Sequence, residues 1–140
     1  MILLKTIYDK IINNCSTALV ETGGIIGGKR NIITHFILDG ENELNSTQHY
    51  YPNIDNLNSC IKIWQNEGIL FYGIVHSHFH EDKELSFGDK QYIQKIMQAM
   101  PREIKFLYFP IVLPQNELVS FKAVRMKDNI NIIYDDITIN

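Results

Sequence analysis

The chain has 140 residues, 45% of them hydrophobic and 21% charged, which is enough apolar material for one core; residues 1–140 are therefore expected to form a single domain. Its formal net charge is −3 and its 13 basic residues form no run, which argues against a nucleic-acid surface. Cys15 and Cys60 are isolated and make no C-x-x-C pair, so a disulfide framework or cysteine zinc knuckle is not expected, and a reduced, cytoplasmic setting is.

In chain order, Leu4, Ile7, Tyr8, Ile11, Ile12 and Cys15 mark one face of a first helix. The apolar clusters in Met1 to Ile12 are short and broken by Lys5, Asp9 and Lys10, so neither a signal peptide nor a membrane span is predicted. Thr17 to Val20 reads as the beginning of a strand closed by Glu21. After it, Gly23, Gly24, Gly27 and Gly28 allow close backbone packing, a bulge or simple turns. They make no P-loop, because Arg30 follows Lys29 where Ser or Thr is required. Asn31 to Leu38 reads as a strand stopped by Asp39-Gly40, and the polar stretch Gly40 to Gln48 as a loop. The Tyr50-Tyr51 pair after it either lines a cleft or packs partly into the core.

Ile54, Leu57, Ile61 and Trp64 predict a second amphipathic helix ending near Gly68, and Ile69 to Val75 a buried strand. A third helix opens at Ser86 to Asp89 and runs through Tyr92, Ile93, Ile96, Met97 and Met100 to Pro101. Later strands are expected at Phe106 to Leu113, Leu118 to Met126 and Ile130 to Tyr134, with Pro110 implying an edge or a bend. This mixture predicts an α/β sandwich, a sheet flanked by helices.

The chemistry concentrates in His76-Ser77-His78 and Asp89. Side chains two apart on a strand share a face, so two imidazoles at the end of the Ile69 to Val75 strand can reach one ion. Asp89, at the start of the third helix, is the candidate third ligand. Two His and one carboxylate leave a fourth tetrahedral position for water, the mark of a catalytic zinc site. Each part also has an ordinary reading: H-x-H can be two plain histidines, and S-x-x-D is a helix cap with Ser86 at its head. His80 falls in a loop with Glu81, Asp82 and Glu84 and is not expected to replace Asp89. His35 and His49 read as packing or surface residues.

His76-x-His78-x7-Ser86-x2-Asp89, with Glu21 upstream, resembles the JAMM motif of JAB/MPN+ metalloproteases, most closely the compact prokaryotic JAB domains. One departure is Phe79, where members of that family often carry proline. The resemblance implies a cytidine-deaminase-like MPN/JAB sandwich with a central mixed sheet, and one zinc per chain held by His76, His78 and Asp89. It makes Glu21 the general base toward the zinc-bound water and Ser86 the group that assists the oxyanion. It further implies a peptidase or isopeptidase acting after the glycine tail of a ubiquitin-like protein or its conjugate. An activating or conjugating enzyme would belong to the same pathway, in an antiphage or ubiquitination-like operon. Sulfur-carrier processing, hydrolysis of small amides, and a non-catalytic MPN scaffold stand as alternatives; the last is marked by loss of the His or Asp ligands, and none is lost here.

Overall fold

The computed structural model describes residues 1–40 and 42–140. Strand β1 (Ile2–Leu3) leads into helix α1 (Lys5–Ser16), strands β2 (Gly23–Lys29) and β3 (Ile32–Leu38), helix α2 (Ile54–Asn66), strand β4 (Leu70–Ser77) and helix α3 (Phe87–Ala99). Strands β5 (Phe106–Tyr108), β6 (Ile111–Leu113), β7 (Glu117–Arg125), β8 (Ile130–Asp135) and β9 (Thr138–Ile139) follow. Among the described residues, these nine strands join one mixed sheet. β4 lies within it, antiparallel to β2 on one side and parallel to β5 and β6 on the other.

Helices cover both faces, and strand alternation decides which side chain meets which helix. Ile26 and Val75 point toward α1, packing in a cluster with Ile11, Ile12 and Cys15. Their strand neighbours Ile25 and Ile74 point the other way, into a cluster with Leu57 and Trp64 of α2 and Ile93 and Met97 of α3. The expected α/β sandwich is present. The sheet also separates the two cysteines, since Cys15 packs in the α1 layer and Cys60 in the opposite one. Among the described residues no helix is long and apolar enough to cross a membrane.

Two expectations need correction. Thr17 to Val20 is a turn followed by bends, with Leu19 88% exposed, and the strand begins instead at the glycines. Glycine is required there by crowding: a Cβ on Gly23 would sit 2.3 Å from the Val75 carbonyl oxygen and 2.9 Å from the Tyr50 ring. Close packing, with bulges at Gly27, is thus the reading that holds for these glycines, and simple turns is not. Phe106 to Leu113 is two strands, because Pro110 has no N–H to give to a ladder. Pro110 lies at a bend beside β4, where its carbonyl accepts from the His76 N–H at 3.2 Å, so it marks no sheet edge. The two-residue strands β1 and β9 were not expected. In the predicted loop Gly40 to Gln48, Glu41 lies outside the described residues.

Candidate metal centre

β4 carries His76 and Ser77 at its C-terminal end, and the backbone stays extended one residue further, where the His78 N–H donates to the Val112 carbonyl at 2.9 Å. Ser77 faces the other side, its Oγ accepting from the Thr22 N–H at 3.0 Å. The two imidazoles therefore share the α3 side, with Nε2 atoms 3.0 Å apart. Asp89 enters from the first turn of α3, its Oδ2 at 3.1 Å from His78 Nε2 and its Oδ1 at 3.3 Å from His76 Nε2. A tetrahedral ion with bonds of about 2.0–2.2 Å sets its ligand atoms roughly 3.3 Å apart. Each imidazole thus has the other, and one Asp89 oxygen, at about that separation, though the two contacts use different oxygens of the carboxylate. His76 and His78 are buried and Asp89 is partly so.

The electrostatics suit a cation. Burial alone would raise the Asp89 carboxyl, but hydrogen bonds from the two histidines, the charge of His76 and the Ser86 N–H hold it well below the usual carboxylate range. Burial lowers His76 and favours its neutral, ligating form. For His78 burial acts the same way, but hydrogen bonding and charge from Asp89 outweigh it and raise the group.

Glu21 stands beside this cluster. Gly23 pairs with His76 across the β2–β4 ladder and the Ser77 N–H donates to the Thr22 carbonyl, so the extended chain before β2 brings Glu21 to the end of β4. It is only 2% exposed, and its Oε1 has no hydrogen-bond partner. Burial, countered in part by His78, pushes its carboxyl up to about 7. A carboxyl poised there exchanges a proton readily at neutral pH.

Other residues that support the cluster were not singled out from the sequence. Asp39, read as a turn residue, is buried and accepts from the Tyr50 hydroxyl at 2.8 Å, the Asn53 N–H at 2.8 Å and Asn56 Nδ2 at 3.2 Å. It thereby fixes the start of α2 and holds the Tyr50 ring stacked on His76, centroids 6.0 Å apart. Tyr92, read only as a helix-face residue, meets His76 edge-on at 6.0 Å. Nothing local in the sequence announces these contacts, because Asp39 and His76 meet only through Tyr50. Tyr50 is thus partly packed and its neighbour Tyr51 exposed.

Ser86 caps α3. Its Oγ accepts from the Asp89 N–H at 3.0 Å while its own N–H donates to Asp89 Oδ2 at 3.0 Å, a reciprocal capping box that also orients the Asp89 carboxylate. Ser86→Ala should cost about 1 kcal/mol of stability, read in a urea melt. If the hydroxyl also steadies an oxyanion, kcat should fall roughly a hundredfold or more. A less stable variant with full activity would leave Ser86 a cap and nothing else. His80 is exposed in the loop after His78; His35 meets Trp64 edge-on, and His49 lies near Tyr51.

A cleft of about 210 Å³ opens next to His78, lined by Cys15, Ser77, Phe79, Val112 and Asn116 among others. Burial pushes the Cys15 thiol up to about 12, which removes it as a nucleophile at neutral pH.

No protein-family model matches the sequence. No curated protein matches it significantly. Solved structures do match. The solution structure of protein DSY2949 from Desulfitobacterium hafniense aligns at a TM-score of 0.73 and 20% identity, over 100% of this chain and 93% of that one. The crystal structure of AF2198, a JAB1/MPN domain protein from Archaeoglobus fulgidus, aligns at a TM-score of 0.57 and 12% identity, over 100% of this chain and 97% of that one. The chain has the MPN/JAB fold. On this MPN/JAB scaffold, the end of β4 and the start of α3 bring together a triad, His76, His78 and Asp89, that can hold a metal ion.

Proposed function

We propose that this chain is a zinc-dependent isopeptidase or peptidase of the JAMM type. It hydrolyses the amide bond after the C-terminal glycine tail of a ubiquitin-like protein, freeing it from a lysine or from a short extension. The observation that carries this reading is the convergence of buried His76 and His78 with Asp89, neighbouring donor atoms 3.0–3.3 Å apart, and the Glu21 carboxyl next to it with Oε1 unpartnered. An MPN/JAB scaffold used only for binding has no need to bury two histidines and a carboxylate at such spacing, since buried polar groups cost stability unless they are satisfied.

His76, His78 and Asp89 would hold one zinc ion. A zinc ion there supplies a Lewis acid that acidifies water and polarises a carbonyl. Glu21 accepts the proton of the attacking water as the new C–O bond forms, and returns it to the nitrogen as the C–N bond breaks, so that the amine leaves neutral. Ser86 Oγ accepts from the Asp89 N–H, which leaves its hydroxyl hydrogen free to donate to the developing oxyanion. Asp39 and Tyr50 keep His76 from rotating out of place.

A glycine tail carries little side chain, so an extended chain of this kind can bring its scissile carbonyl close to the reacting groups. Such a tail would lie as an added strand beside the sheet. An activating or conjugating enzyme would prepare the conjugate. The test is a cleavable ubiquitin-like fusion in two forms, with glycine or with leucine at the penultimate position of the tail. The leucine form should be cut at least on the order of 10²-fold more slowly, because its carbonyl is held away from the reacting groups. Equal cleavage of the two would point to a general peptidase, and cleavage of neither to a hydrolase of small amides.

A further inference from the structure

A second set of donors converges next to the first. A carboxylate oxygen of Glu21 and ring nitrogens of His78 and His80 all lie within 4.8 Å of one another. We propose that Glu21 and His80 form a second, weaker site for a divalent cation of zinc-like chemistry, and that filling it stops hydrolysis by occupying the Glu21 carboxylate. The site itself is read from its own donors; only the inhibition rests on the role assigned to Glu21 above.

Two observations support a ligand at this place. Glu21 is 2% exposed with Oε1 unpartnered, and a buried carboxylate oxygen left unsatisfied is costly, so a cation that meets it is favoured. His78 gives Nε2 to the first cluster, and its ring stands in the second set as well, so it joins the two places. His80 is exposed and its ring lies 4.6 Å from that of His78, centroid to centroid. A nitrogen and a carboxylate together select zinc and its neighbours over magnesium or calcium. The first cluster offers three protein ligands with neighbouring donor atoms 3.0–3.3 Å apart, whereas the second offers two, Glu21 and His80, within 4.8 Å of each other. Fewer protein ligands make it the weaker site.

The experiment is equilibrium dialysis of wild type, His80→Ala and Glu21→Gln against zinc raised to about 1 mM, with bound metal counted. Wild type should take up a tight equivalent and then a weaker one, and both variants only the tight one. Fusion hydrolysis by wild type and His80→Ala, each scaled to its own rate at one equivalent, supplies the second readout. The wild-type rate should fall about tenfold at ten times the weaker dissociation constant, and the variant's should not fall. A wild type that binds one equivalent throughout, or a His80→Ala protein that keeps both the second equivalent and the inhibition, overturns the proposal. Absence of the tight equivalent would count against the first centre instead, since the second is judged by the dependence of the weaker equivalent on His80.

Discussion

Glu21→Gln is expected to slow hydrolysis by on the order of 10³–10⁴-fold while one tight zinc stays bound. The amide matches the carboxylate in shape but cannot accept the proton, and Glu21 is no member of the His76, His78 and Asp89 donor set. The same change should alter stability in the opposite direction. With the Glu21 carboxyl pushed up to about 7 from 4.5, the folded chain holds a proton that the unfolded chain releases. Stability of the metal-free protein therefore falls as pH rises from about 4.5 to about 7. At pH above that window, metal-free Glu21→Gln should exceed wild type by about 3 kcal/mol in a urea melt. A dication beside Glu21 favours its charged form, so the difference should shrink when zinc is added. Turnover close to wild type in the variant would remove Glu21 from the mechanism.

The combined change His76→Ala with His78→Ala should abolish tight zinc binding and with it all hydrolysis. Zinc at about a thousand times its dissociation constant adds about 4 kcal/mol to a protein that binds it only when folded. Wild-type Tm should rise by on the order of 10 °C, and that of the double variant should not respond. The binding should also be acid-sensitive, because His78 is held above its ordinary 6.5 by Asp89 and must lose its proton to become a ligand. Below that raised value the apparent affinity should weaken about tenfold per pH unit for each proton displaced. Asp89, held low by the histidines, stays ionised and contributes no step in this range. A tight equivalent that survives in the double variant would place the metal elsewhere.

What could be read from the sequence follows from how local each feature is. The unbroken apolar, β-forming run before His76 and the Ser86 to Asp89 cap are short-range patterns, and β4 and α3 appear where those patterns put them. Their meeting at 3.0–3.3 Å is a long-range fact, reached from the sequence only through the motif spacing. Glu21 is marked by the resemblance, because a lone Glu before glycines carries little signal of its own, and the strand expected at Thr17 to Val20 lies further on. β-forming side chains lost there to a turn, and the strand fell on glycines that propensity disfavours but close backbone approach demands. Asp39 carries only a turn signal and Tyr50 only that of a cleft or packing residue, because their part in holding His76 depends on a loop folding back across the sheet. The strands β1 and β9 are too short to leave a periodic trace.

The most direct test of the central claim is to measure metal content and fusion cleavage on one preparation of the whole chain, as purified, after chelation, and after zinc is restored. The His76, His78 and Asp89 centre with Glu21 as its base predicts one tight zinc, cleavage after the terminal glycine, loss of both on chelation and recovery of both on reloading. Cleavage that persists in the metal-free protein, or a tightly bound zinc with no cleavage of any glycine-tailed fusion, would contradict it.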